Sequence, residues 1–215
     1  MYLSRLQLNP TSRTLWRDVV DQPHRLHQLV MQGFPDDVNR EAANVLHRLD
    51  QNHHGLTLLV QSNVQPNWEA LDHNLLLPAD PFDPLPNPAI QSLADLGLQN
   101  GRILQFRLRA NPTIKKVRRD ENGNRRNSNR VPLVHEDKQV AWLHKKAAQS
   151  GFEILDAHIN PEGKQSDYRK RLTLYTILVN GRLRISDATK FYTALEKGIG
   201  PAKAFGCGLL SLAPG

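Results

Sequence analysis

The sequence predicts an α+β protein of two tandem domains, and three observations predict it. Each half of the chain reads in the order strand, helix, strands. The strands in each half follow one another closely enough to pair antiparallel. Between the halves, Leu77 to Pro88 holds five prolines and little hydrophobic periodicity, which marks an ordered linker. The division expected from it separates residues 1–85 from residues 86–215. A chain of 215 residues has room for two small domains, each with a modest core.

The elements follow in order. Tyr2 to Leu8 alternates, with Leu3, Arg5 and Gln7 on one face and Tyr2, Ser4, Leu6 and Leu8 on the other, as a strand requires. Gln22 to Gln32 predicts a helix, with Asp21 as N-cap, Pro23 in the first turn and an apolar stripe of Leu26, Leu29 and Val30. Gly33-Phe34-Pro35 ends it, and Asp36 is expected to cap a second helical stretch through Val45 and Leu49. Leu56 to Gln61 is a buried strand. Ile103 to Arg109 is another, with Arg107 and Arg109 on one face. The polar, basic stretch from Lys115 to Arg130 reads as a surface loop or a loose hairpin. His135 to Ser150 is a helix with Val140, Leu143 and Ala147 inward and Gly151 at C′. Phe152 to Leu155 is a short strand. Arg171 to Val179 and Leu183 to Ile185 are expected to form a hairpin across Asn180-Gly181, and Asp187 to cap a helix through Leu195. No repeat is visible between the two halves at the level of residues.

Composition narrows the partners. The net charge of +7 and pI of 9.8 favour a polyanion, either nucleic acid or an anionic membrane surface. No stretch is apolar for the roughly 18 residues that a spanning helix needs, so no membrane association is expected. The first residues, Met1-Tyr2-Leu3-Ser4-Arg5, lack the features of a targeting segment. Cys207 is the only cysteine, which excludes an internal disulfide and a cysteine-rich zinc site. A reducing, cytoplasmic compartment is the expectation.

Two groups of residues invite chemistry. Residues 198–208 read Gly-Ile-Gly-Pro-Ala-Lys-Ala-Phe-Gly-Cys-Gly. Glycines so placed permit positive φ and close backbone approach, and their amides, with Lys203, suit a phosphate. The spacing is neither Gly-x-Gly-x-x-Gly nor a P-loop, which disfavours a nucleotide-binding enzyme. On local grounds the segment supports no more than a tight turn before a C-terminal strand. The second group is histidine: His24 and His27, at i and i+3, share one side of the first helix. Histidine suits a general base or acid near neutral pH, although two surface histidines with no role give the same pattern. His53-His54, with His47 and Asp50 nearby, leaves a weak metal site open.

Four separated stretches carry a family resemblance: Met1-Tyr2-Leu3-Ser4, Phe106-Arg107-Leu108-Arg109-Ala110-Asn111-Pro112, Val140-Ala141-Trp142-Leu143, and Gly198 through Pro214. In that order they resemble the CasE family of type I-E CRISPR systems, over the whole chain. The resemblance implies two ferredoxin-like (RRM-like) domains. It implies cleavage of the repeat hairpin in precursor CRISPR RNA with no metal and no cofactor, leaving a 2′,3′-cyclic phosphate and a 5′-hydroxyl. It also implies that the product is retained in the multisubunit Cascade complex. His27 falls on the family's catalytic position. The family's tyrosine three residues earlier is His24 here, which leaves His24 as a second acid/base group or a positional helper.

For RNA binding, Tyr168-Arg169-Lys170-Arg171 corresponds to a hairpin that enters the stem groove in the family, so Arg169, Lys170 and Arg171 are candidate contacts. Arg107, Arg109, Lys203, Gly198, Gly200, Gly206 and Gly208 complete the candidate RNA-binding set. Two rival readings stand beside this one: an RNA-binding subunit without catalysis, and a general RNA-binding accessory protein with the glycine segment as a structural turn.

Overall fold

The computed structural model describes every residue except 21, 53–54, 117, 122, 124, 127–129 and 168–171. Strand β1, Tyr2–Leu8, buries Ser4, Leu6 and Leu8, the face its alternation predicts. Helix α1, Pro23–Met31, carries Pro23 in its first turn and buries Leu26, Leu29 and Val30. Gln22 stands at its N-cap without a side-chain capping bond; the expected cap, Asp21, lies outside the described residues. Strands β2 (Leu46–Asn52), β3 (Gly55–Ser62) and β4 (Ala89–Ser92) complete an antiparallel sheet of order β2-β3-β1-β4. The second unit is β5 (Ile103–Ala110), α2 (Glu136–Gln149), β6 (Phe152–Asp167), β7 (Leu172–Ile185), α3 (Ala188–Lys197) and β8 (Leu210–Pro214). Its sheet order is β6-β7-β5-β8, again antiparallel.

Both sheets therefore place their strands second, third, first, fourth, and the fold is α+β with two ferredoxin-like units. In the first unit, residues 63–88 occupy the place of the second helix, with a single 3₁₀ turn at His73–Leu75. Because β4 pairs with β1, residues 89–92 belong with the first sheet, beyond the division expected at residue 85. No described helix is long and apolar enough to cross a membrane. The basic stretch is a hairpin: Thr113–Lys115 pairs with Arg130–Pro132, and Arg118–Arg119 with Arg125–Arg126.

Three local expectations are corrected. The helix expected from Asp36 through Leu49 is helical only at Arg40–Ala43. Asn44 then takes a left-handed φ of 45°, and the chain becomes β2. Leu46, His47, Arg48 and Leu49 are all buried, because one face of β2 meets α1 and the other meets the second unit. That two-sided burial erases the period of two that marks a strand. The short strand expected at Phe152–Leu155 is the start of a 16-residue β6. Its partner β7 runs straight through Asn180-Gly181, which is no turn. A Cβ on Gly181 would meet the carbonyl oxygen of Asp156 and Cα of Ala157, beside the register shift between Ile154 and Asp156. The glycine serves a close approach at a β-bulge.

The units are joined through the open face of the first sheet. Arg48 forks Asp50, Nε to Oδ1 at 2.8 Å and Nη2 to Oδ2 at 2.9 Å. Its Nη1 donates across the seam to the carbonyls of Arg107 at 3.2 Å and Leu209 at 3.4 Å. Gln61 Nε2 donates to the Leu195 carbonyl at 2.8 Å. With only 2% of the Arg48 side chain exposed, Arg48→Ala leaves the Asp50 charge at a largely dry seam with only the longer 3.8 Å ion pair to Arg107. The expected loss of stability is about 3–5 kcal/mol, as for other broken buried pairs, and Arg48→Lys restores little because an ammonium cannot reproduce the fork. Urea unfolding of the three proteins checks this.

Candidate active site

The first-helix histidines sit where the two units meet. α1 packs against the 3₁₀ turn Lys203–Phe205 of the glycine segment. His27 and Leu26 are neighbours on α1, and Leu26 is committed to the core, so His27 stands half-buried at the helix edge. Its ring stacks on that of His47, with centroids 5.9 Å apart and planes inclined by 22°. His47 reaches it because β2 turns His47 and Leu49 toward α1, and Arg48 and Asp50 toward the second unit. His24 lies one turn earlier on α1, also half-buried.

From the second unit come Gly206, Arg109 and Glu162. A Cβ on Gly206 would stand 3.9 Å from both the His47 ring and Arg109 Nη1. The φ of 80° at this position favours glycine in any case. Arg109 forks Glu162, Nε to Oε2 at 2.8 Å and Nη2 to Oε1 at 2.6 Å. Burial, then the charges of His27 and Arg109, lower the pKa of His47 from 6.5 to about 3. His47 therefore packs as a neutral ring. Burial pushes the neighbouring Cys207 thiol up to about 12, so it supplies no thiolate near neutral pH.

The expected RNA contacts separate into groups. Arg107 and Arg109 share a face of β5 as predicted but differ in surroundings. Arg107 remains 45% exposed on its side chain, held by Asn180 Oδ1 at 2.7 Å. It lines a cleft of about 370 Å³ between the sheets, with Arg48, Asp50 and Gln105. Arg109 is neutralised by Glu162 and only 17% exposed. Four amides of the glycine segment are engaged within the protein. Gly198 N donates to Ala194 O, Ile199 N to Gly208 O, Gly206 N to Lys203 O and Gly208 N to Arg109 O. These bonds spend the donors internally, fastening the segment to α3 and β5. A Cβ on Gly198 would strike Leu46 of β2, and one on Gly200 would crowd Trp142 of α2. The glycines thus let the seam close. Lys203 Nζ donates to the Lys197 carbonyl at the end of α3. Burial, then the charges of Lys197 and Lys146, lower its pKa below the ordinary lysine range.

Arg169, Lys170 and Arg171 lie outside the described residues. They fall in the connection between β6 and β7, whose pairing extends to Asp167 opposite Leu172. Of the residues weighed as a metal site, His53 and His54 also lie outside the described residues, and His47 and Asp50 are on opposite faces of β2. The residues that sequence reasoning missed are His47, as the ring under His27, and Glu162, as the partner of Arg109. Neither has a motif; both acquire their place only when strands from distant segments meet.

Comparison with known proteins follows the same outline. The family model described as CRISPR associated protein matches residues 1–214. The chain is 30% identical to the CRISPR-associated endoribonuclease Cse3 of Thermus thermophilus, with all of both chains covered. It is 44% identical over 124 residues to the CRISPR system Cascade subunit CasE of Escherichia coli, covering 54% of this chain and 61% of that one. Among solved structures, Cse3 bound to a 19-nucleotide RNA superposes with a TM-score of 0.78 at 29% identity, over 99% of this chain and 98% of the other. Cas6e from Escherichia coli superposes at 0.70 with 32% identity, over all of both chains.

Proposed function

Because the chain belongs to the CRISPR-associated protein family, as a CasE-like member of the type I-E systems, we propose that it binds the repeat hairpin of precursor CRISPR RNA and cuts it to guide RNA. The observation that carries this reading is the whole-length likeness to an endoribonuclease whose solved structure holds RNA. The product stays bound, and the protein serves as a subunit of a Cascade complex in the cytoplasm.

The chemistry proposed needs no metal. The 2′-oxygen attacks the adjacent phosphorus, the P–O5′ bond breaks, and the products are a 2′,3′-cyclic phosphate and a 5′-hydroxyl. His27 takes the 2′-hydroxyl proton as general base. The stack on His47 holds its ring in one orientation, which is what positioning contributes to such a step. His24, on the same helix edge, is the candidate for proton delivery to the leaving 5′-oxygen. Arg107 faces solvent in the cleft and is offered as a phosphate contact. Arg169, Lys170 and Arg171 are proposed to enter the stem groove, where A-form RNA is recognised by shape and backbone. Arg109, Lys203 and the four glycines are proposed to support the RNA site through the geometry of the seam.

The test is incubation of the purified protein with end-labelled repeat hairpin in excess chelator. Cleavage at one position is expected, with a 3′ fragment bearing a free 5′-hydroxyl and a 5′ fragment whose terminal cyclic phosphate becomes a phosphatase-sensitive monoester only after acid opening. Binding without cleavage would favour the non-catalytic subunit, and binding indifferent to the hairpin would favour the accessory protein.

A further inference from the structure

Charge is segregated along this chain. Residues 49–101 carry Asp50, Glu69, Asp72, Asp80, Asp83 and Asp95 and no lysine or arginine, so all 28 basic residues lie outside that stretch. A phosphate-binding surface is basic; this stretch has the opposite sign. Its proline-rich part, residues 77–88, forms a strap held against β1 through Arg5 and Gln7.

The strap is pinned at both ends. Arg5 Nη2 donates to Asp83 Oδ2 at 2.7 Å. Asn87 Nδ2 donates to the carbonyls of Gln7 and Leu77 at 2.8 Å, and Gln7 N donates back to Asn87 Oδ1 at 2.8 Å. Between these anchors, two Asx turns fix the crest: Phe82 N donates to Asp80 Oδ1 at 2.9 Å and Leu85 N to Asp83 Oδ1 at 3.0 Å. The crest they build presents apolar side chains to water, Phe82 at 95% exposure and Leu85 at 51%. Beside the strap lies a cavity of about 850 Å³ lined by Trp68, Leu77 and Ile90 together with Glu69, His73 and Asn87.

Single exposed apolar residues are ordinary on a surface. A phenylalanine held out by a pinned turn, with a second apolar residue three positions on and a cavity of mixed polar and apolar lining alongside, is the form of an interaction site. The aspartates around it select the occupant. RNA and anionic membranes are repelled. A second copy docking face to face would set the same aspartates against each other, since a twofold contact uses one patch twice. A protein segment with an apolar pocket rimmed by lysine or arginine is favoured on both counts.

We propose that the strap is a protein-docking surface on which Phe82 and Leu85 insert into a basic-rimmed apolar pocket of another subunit of the complex. This rests on the reading of the chain as a Cascade subunit. The strap and the RNA site then divide the molecule: acidic and apolar toward protein, basic toward RNA.

The test compares wild type with the double variant Phe82→Ser/Leu85→Ser, both full length and outside the cleavage machinery. Each is assayed for hairpin cleavage, for hairpin affinity, and for joining a purified Cascade assembled without this subunit. The expected result is cleavage and hairpin affinity within about twofold of wild type and association with the complex weakened about tenfold or more. Wild-type association is also expected to weaken as salt is raised. Association of the variant at wild-type strength overturns the docking surface while leaving the function intact. Loss of hairpin affinity in the variant overturns it in favour of an RNA contact. Failure of the wild type itself to associate, with cleavage intact, removes the Cascade reading and the docking surface together.

Discussion

His27→Ala is expected to abolish cleavage of the repeat hairpin while leaving affinity for it nearly unchanged. A positioned general base contributes about 10²–10⁴-fold to rate, and the variant is expected to lose at least that in single-turnover cleavage. Binding should survive because it is spread over cationic groups elsewhere: Arg107 in the cleft, the basic hairpin that closes at Lys115 and Arg130, and the candidates at Arg169, Lys170 and Arg171. The fold should survive as well. His27 lies at the edge of α1, and the core contacts of that helix are made by Leu26, Leu29 and Val30. Alanine also raises helix propensity. The measurement is cleavage rate and equilibrium binding on the same preparation. A His27→Ala protein that cuts at the wild-type rate would remove His27 from the mechanism.

Much of the fold was legible because local rules agree with the tertiary result. The alternation of Tyr2 to Leu8 became the buried face of β1. Asp187 caps α3 through the amide of Lys190 at 3.0 Å, and Gly151 ends α2 with a φ of 74°. Local rules failed where a distant segment decides. Val140 was expected inward but is 37% exposed, and Gln139 is buried in its stead. The buried amide is satisfied by the Leu133 carbonyl at 2.9 Å, a partner that helical spacing alone does not reveal. Asn180-Gly181 has the composition of a turn, yet the approach of the β6 backbone is what requires the glycine. The candidate site divides in the same way. His27 was found through its helix and its family resemblance. His47 was not, because within Leu46-His47-Arg48-Leu49 nothing marks which face of β2 will meet α1. The repeated strand order of the two units leaves no repeat in the residues, since each sheet packs against different neighbours.

The consequences of burying His47 are expected to show in the pH dependence of stability. His47 is fully enclosed, and neither ring nitrogen has a hydrogen-bond partner among the described residues. The charged and titratable groups that act on it are His27 from α1 and Arg109 from the second unit, the latter forked by Glu162. Burial first, then the charges of His27 and Arg109, hold its pKa near 3, against 6.5 when unfolded. Because the folded value is depressed, the unfolded chain takes up the proton first. The stability gained by keeping the ring neutral is fully present above pH 6.5 and is lost as pH falls from 6.5 toward 3. The slope approaches about 1.4 kcal/mol for each pH unit in that window, a large share of the stability of a small domain. His47→Phe keeps an aromatic ring under His27 and removes the titration. Between pH 7 and pH 5 the wild type should therefore lose about 2 kcal/mol more than the variant in urea unfolding. Parallel pH curves for the two proteins would mean that His47 takes its proton within the folded seam. The two histidines of the stack are then distinguished by separate measurements: His27 by the rate of cutting at constant affinity, and His47 by the acid limb of stability.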